Sequence, residues 1–260
     1  MAATAEQTIR RTAHEIFERV EDNGHEELRR SARALAFSGL AGGLTMGLTG
    51  LSVAAALATL PDSPDRSFIA YLVYPVGFIA VIIGRAQLFT ENTLYPIALI
   101  LSERRHVADT ARLWTVVFTC NVLGAAAFSA LAIRTNALSP ETAQQLIQLG
   151  TQLASGSSSH IFWSAVIGGW LIALVAWLVT ASHWTIGQIA VIWLLTFVVG
   201  IGRFSHCIAS SAEIMAAVFA GSLPFHRYLY WLGLAVAGNI FGGVTIVTLL
   251  NFGQVKAGED

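Results

Sequence analysis

The chain has 260 residues, 55% of them hydrophobic and only 12% charged, with a mean hydropathy of +0.63. That is about half the charge of an average soluble domain, which excludes an ordinary water-soluble globule. The net charge is −1 and Lys256 is the single lysine, so no basic surface for nucleic acid exists.

Residues 1–33 are charged and helical in pattern, without the apolar core and cleavage site of a signal peptide. This segment is expected to be an amphipathic helix along the inner membrane face, or a solvated helix without a partner. Six apolar runs follow, each long enough for the ~20 residues of a crossing. They are Ala34–Leu60, Phe68–Leu101, Leu113–Ile133, Ile161–Val179, Ile186–Ala220 and Tyr228–Leu250, giving a membrane domain over residues 34–252 and a tail over residues 253–260. In the first run, Gly39, Gly43 and Gly47 form a small-residue stripe suited to close helix contact.

The second and fifth runs are too long for one plain crossing. The second is interrupted by Arg85, Gln87, Thr90, Glu91 and Asn92, and the fifth by Arg203, Ser205, His206, Ser210, Ser211 and Glu213. Both read as broken helices, because irregular backbone at membrane depth survives only where protein or a polar cavity satisfies it. Between the third and fourth runs, Ser139-Pro140-Glu141 supplies an N-cap, a proline at the first helical position and a first-turn acid, so a short surface helix is expected there. With the N-terminus inside, ten basic residues fall on the inner side and three in the outer loops, which obeys the positive-inside rule and puts both termini in the cytoplasm. Trp114, Trp184 and Trp231 lie near span ends and fit an interfacial belt, while Cys120 and Cys207 sit in apolar runs and read as packing residues.

The chain also repeats itself. Gly84-Arg85 recurs as Gly202-Arg203, and Asn121-Val122-Leu123-Gly124 recurs as Asn239-Ile240-Phe241-Gly242, both at an offset of 118 residues. Two matches at one offset divide the chain into two related halves. Each half holds three spans, an odd number, so the halves must be inverted with respect to each other and the functional site is expected between them.

At this point the residues resemble the formate/nitrite transporter family. The resemblance rests on Gln87-Leu88-Phe89-Thr90-Glu91-Asn92 in a broken second span, Phe204-Ser205-His206 in a broken fifth and Gly238-Asn239-Ile240-Phe241-Gly242-Gly243 in the sixth, and it runs over about residues 37–252. It implies an all-α, aquaporin-like bundle of six transmembrane helices in two inverted three-helix repeats, assembled as a homopentamer in the bilayer, most simply a bacterial inner membrane, with one pathway per protomer. It also implies that His206 faces Thr90 at the centre, that Leu88 and Phe89 belong to a constriction, and that Tyr74 and Phe78 line the pathway. The chain departs from the family pattern in having Gln87 and Ser205 where acids are usual, Ser210 and Ala173 where asparagines are usual, and Ser157 in place of an outer lysine. Arg85 and Arg203 stand in place of glycines, and Glu91 and Glu213 are additional acids.

The physics of a central histidine is independent of the resemblance. A small anion costs several kcal/mol or more to desolvate whereas its neutral acid costs little, so an apolar passage selects the protonated form and a proton donor at its centre helps. The expected function is therefore a channel or transporter for a small monovalent anion or its conjugate weak acid, with no enzymatic activity. A conduit for a neutral or cationic solute is the alternative if Glu91 and Glu213 face the pathway, and a non-transporting scaffold or sensor if Arg85 and Arg203 seal it by pairing with those acids. That pairing is expected, with direct substrate binding by the arginines as the alternative role. His14, His25, His106, His183 and His226 fall in tails, loops or span ends, and His160 lies where it can line an outer vestibule. Only His206 and Glu213 have spacing to share a helix face as ligands, so neither a metal nor another cofactor is expected.

Overall fold

A computed structural model of the protein describes residues 11–258, and the expectations for residues 1–10 and 259–260 lie outside the described residues. Twelve α-helices, one 3-10 turn and one π-helical stretch make up the regular structure, and the described residues contain no strand. The first helix, α1 (Ala13–Arg29), starts at a capping box in which Thr12 accepts from the Glu15 N–H at 3.2 Å and the Glu15 carboxylate accepts from the Thr12 N–H at 2.6 Å. Its apolar stripe is turned onto the bundle. Ile16, Phe17 and Val20 are buried against Leu94, Ala98, Trp177 and Val255. Arg112 donates to the Leu28 and Arg30 carbonyls at 2.7 and 3.2 Å, satisfying groups that the end of α1 leaves open. The apolar stripe of described α1 is thus covered by an apolar patch of its own chain.

The crossings follow as anticipated, with the breaks where polar residues interrupt the apolar runs. α2 (Ala32–Thr59) is continuous. The second crossing comprises α3 (Arg66–Tyr71) and α4 (Val76–Ile83), then an irregular stretch with a 3-10 turn at Glu91–Thr93, then α5 (Tyr95–Glu103). α6 (Val107–Arg134) completes the first half. α7 (Pro140–Ala154) is the surface helix signalled by Ser139, whose side chain accepts from the Thr142 N–H at 3.2 Å, though at fifteen residues it is a full helix. α8 (Ser158–Ala181) is continuous, whereas the fifth crossing splits into α9 (Thr185–Ile201) and α10 (Ala209–Phe219), each too short to span alone. The sixth runs through α11 (Phe225–Phe241), a π-helical stretch at Gly242–Leu249 and α12 (Leu250–Ala257), so the helix continues well into the segment read as a tail.

Within each half, the first and third crossings pack along small residues. A Cβ added at Gly43 of α2 would lie 2.0 Å from the Asn121 carbonyl oxygen of α6, and one at Gly169 of α8 would lie 2.2 Å from the Asn239 carbonyl oxygen of α11. No side chain fits there without separating the helices. Gly43→Val is therefore expected to abolish the folded complex on gel filtration, while Gly233→Ala, whose Cβ meets open space inside α11, should be stabilising by about 1 kcal/mol in a melting measurement.

Two residues differ from their sequence reading. Trp231 is fully buried rather than interfacial, because Tyr228 stacks beside it in the interior, whereas Trp184 is 67% exposed. Trp114 is half-buried and donates its indole N–H to the Asn92 carbonyl at 2.9 Å, holding the first break.

Candidate functional site

The two breaks share one construction. After α4, Arg85 adopts the left-handed conformation at φ 57°, and the Ala86 N–H donates back to the Val81 carbonyl at 3.0 Å. After α9, Arg203 does the same at φ 50°, with Phe204 N–H bonded to the Val199 carbonyl at 3.0 Å. This is the usual helix stop, but with arginine at the position where glycine is normally favoured.

The freed backbone is then satisfied by side chains from the neighbouring crossings. Asn121 accepts from the Phe89 N–H at 2.9 Å and donates to the Gly39 and Gln87 carbonyls at 2.7 and 2.9 Å. Asn239 accepts from the Cys207 N–H at 2.8 Å and donates to the Ala165 and Ser205 carbonyls at 2.7 and 2.9 Å. Ser38 and Ser164 accept from the Gln87 and Ser205 N–H groups at 3.1 and 2.9 Å. The inverted repeat is therefore a repeat of hydrogen bonds, and it explains why asparagine recurs at both positions.

Between the breaks the two halves differ. His206 occupies the position equivalent to Leu88, and both are fully buried. His206 Nε2 lies 2.7 Å from Thr90 Oγ1, while its Nδ1 accepts from the Ala209 N–H at 3.0 Å. With Nδ1 an acceptor, the neutral tautomer carrying hydrogen on Nε2 fits both contacts, and Nε2–H then donates to Thr90. The Thr90 hydroxyl keeps its own hydrogen to offer elsewhere.

A column of rings reaches this pair from one side. Centroid separations are 6.0 Å for Tyr71–Tyr74, 5.8 Å for Tyr74–Phe78 and 5.1 Å for Phe78–His206. Phe89 is not in that column. Its ring packs on Trp114 and Phe118 of α6 at 5.5 and 5.1 Å.

A cavity opens on each side of the pair, and neither is lined by His206 or Thr90. The cavity beside α1, about 240 Å³, is lined by Arg11, Arg19 and Arg85 together with Glu26, Glu27 and Glu91, so among the described residues its formal charges balance. The opposite cavity, about 210 Å³, is lined by Tyr71, Gln152, His160, Arg203 and Ser205, and among the described residues Arg203 is its only permanent charge. Among the described residues neither arginine forms an ion pair with Glu91 or Glu213. Arg203 instead donates to Gln152 of α7 at 3.0 Å and stands 6.0 Å from the Tyr71 ring centre. The expected Arg–Glu locks are absent because the left-handed turns aim both arginines outward into the cavities, where they are exposed. Glu91 lines the cavity beside α1, whereas Glu213 is buried beside Gly50.

The ligand pair considered in the sequence, His206 with Glu213, does not form a metal-ligand cluster among the described residues. A different one does: His25, Glu103 and His106. His25 and His106 lie far apart in sequence, so no spacing could have signalled it.

A family model described as "Formate/nitrite transporter" matches residues 14–253. The chain belongs to the formate/nitrite transporter family. It is 34% identical over 248 residues to "Inner membrane protein YfdC" of Escherichia coli (strain K12), covering 93% of this chain and 78% of that one. Among solved structures it is similar to an "FNT family ion channel", with TM-score 0.83, 16% identity and coverage of 92% and 98% of the two chains. It is also similar to a "Pentameric formate channel with formate bound", with TM-score 0.72, 16% identity and coverage of 84% and 95%. The two structural likenesses establish the fold, and the family places the chain among membrane transport proteins rather than enzymes.

Proposed function

We propose that the chain conducts a small monovalent anion of the formate or nitrite type, or its conjugate weak acid, with His206 and Thr90 handling the proton. The observation that carries this reading is the buried Thr90–His206 contact between two cavities, each lined by the arginine of one break. An anion drawn toward Arg203 leaves water along Tyr71, Tyr74 and Phe78, where the neutral acid is far less costly than the charged form. The start of α10 points its positive end at His206, which favours an anion there. Protonating Nδ1 requires the Ala209 N–H to turn away, so proton transfer is coupled to movement of the first turn of α10.

The arginines are the second support. A non-glycine residue in the left-handed region costs roughly 1–2 kcal/mol, and the chain carries that cost at both repeat-equivalent positions. A charge-collecting role accounts for it. Arg203→Gly is expected to melt no lower than the natural protein while its anion uptake falls severalfold at low ionic strength, the difference shrinking at high salt. Uptake unaffected by the substitution at every salt concentration would remove the arginine from the mechanism.

The resemblance to a pentameric channel and the exposed apolar face of α2, including Phe37 and Leu44, support a homopentamer in the bilayer. The basic residues at the α1 face support cytoplasmic termini in an inner membrane. Glu91 in the cavity beside α1 is the one observation that favours a cation or neutral-solute conduit instead. Vesicles containing the protein, tested with formate, nitrite, acetate, lactate, hydrosulfide and fluoride across a pH series, decide between them. Uptake of an anion that quickens as outside pH falls is expected, and uptake of guanidinium or glycerol without any anion would overturn the proposal.

A further inference from the structure

None of His25, Glu103 and His106, which cluster where α1 meets the turn between α5 and α6, lines either cavity, and none has a part in conduction as described above. Glu103 ends α5 and His106 precedes α6. Between them the chain turns tightly through Arg104 and His106, both left-handed at φ 55° and 73°, which brings the His106 side chain back over Glu103. His106 Nε2 is 3.0 Å from one Glu103 oxygen, and His25 Nε2, reaching across from α1, is 2.7 Å from the other. The two imidazoles meet edge to face with centroids 5.7 Å apart, and one donor atom from each of the three residues lies within 4.8 Å of the others.

We propose that His25, Glu103 and His106 bind a first-row divalent transition cation, Zn²⁺ above all, which ties α1 to the turn between α5 and α6. Two imidazole nitrogens and one carboxylate are a donor set that suits zinc, with water in the fourth position, and is unlike the all-oxygen shells of Ca²⁺ or Mg²⁺. Donors about 2.0–2.2 Å from a tetrahedral ion stand roughly 3.3 Å apart; the imidazole–carboxylate contacts of 2.7 and 3.0 Å, made to different Glu103 oxygens, need to open slightly, and the imidazole–imidazole separation, within 4.8 Å, needs to come to the same value. The side chains are 31%, 24% and 18% exposed for His25, Glu103 and His106, which leaves the site partly dry yet reachable from solution. Asp109 stands 3.8 Å from the other ring nitrogen of His106, where a small movement lets it accept that N–H and orient the ring. Arg105 contacts Glu103 at 2.5 Å and competes for it, but it is 67% exposed and can leave.

The test uses the tag-free full chain in detergent, stripped with a chelator and titrated with Zn²⁺. One ion per chain is expected, undisturbed by excess Mg²⁺ or Ca²⁺, and Co²⁺ in its place should show the visible absorption of a four-coordinate site. His25→Ala and His106→Asn should each weaken binding at least tenfold; asparagine is chosen because it tolerates the left-handed backbone at that position. Glu103→Gln keeps the size and a hydrogen-bonding carbonyl, and should show the same loss while eluting as the natural complex. In the natural protein Zn²⁺ should also slow tryptic cleavage after Arg29 and Arg30, and in His25→Ala it should not. Absence of stoichiometric zinc binding to the natural protein, or binding equally tight in Glu103→Gln, would reduce the cluster to a hydrogen-bonded latch and overturn the proposal.

Discussion

Asn239→Ala is expected to leave no stable complex in detergent. The substitution strips the Cys207 N–H of its acceptor and the Ala165 and Ser205 carbonyls of a donor, all of them buried. A buried backbone group left unsatisfied costs about 1–3 kcal/mol; the Ala165 carbonyl keeps its bond within α8, but losing the partners of the Cys207 N–H and the Ser205 carbonyl removes a large share of a typical folding stability of roughly 5–15 kcal/mol. The asparagine sits at the close crossing of α8 and α11, where a Cβ at Gly169 would lie 2.2 Å from its backbone carbonyl oxygen, so the helices cannot shift to supply new partners without separating. Asn121→Ala should do the same in the first half, since Asn121 makes the same three kinds of contact. Asn239→Asp separates hydrogen bonding from volume. It keeps the shape and the acceptor but brings a charge and no amide donor, so it should fail as well. A thermal melt of each purified variant is the measurement, and a natural melting temperature in either alanine variant would show that the breaks hold without this clamp.

The clamp illustrates what the sequence revealed and what it withheld. The common 118-residue offset of Arg85/Arg203 and Asn121/Asn239 was enough to divide the chain, invert its halves and locate both breaks, because inserted polar residues and helix-packing glycines leave a periodic trace in composition. Which hydrogen bonds those asparagines make was not legible, since their partners are backbone groups that carry no residue identity. Ser38 and Ser164 went unnoticed for a related reason: they are separated by 126 residues, a different offset from that of the other pairs. The direction of Arg85 and Arg203 also depends on backbone conformation. As members of a helix they could have met Glu91 and Glu213, but the left-handed turn swings them into opposite cavities. Likewise an amphipathic pattern gives α1 an apolar stripe without saying whether lipid, solvent or its own bundle covers it, and here the bundle does.

His206→Asn should give a folded complex whose anion flux falls on the order of a hundredfold and no longer follows pH, the size of effect a positioned proton donor typically contributes. Asparagine keeps an acceptor for the Ala209 N–H where Nδ1 stands, so most of the packing is spared while the ionisable ring that meets Thr90 is lost. Thr90 supplies the complementary test. Thr90→Ser keeps the hydroxyl that meets Nε2 at 2.7 Å and should conduct nearly as the natural protein does, whereas Thr90→Val leaves the Nε2–H unpaired in a fully buried site. That variant should lose both stability and flux. Combining it with His206→Asn should cost little more flux than either change alone, because residues acting as one unit are not additive. Stopped-flow uptake into vesicles at several outside pH values reads all four proteins. If His206→Asn keeps the natural rate and pH profile, the imidazole is a hydrogen-bonded packing group, and the protonation step must then lie in one of the two cavities rather than between them.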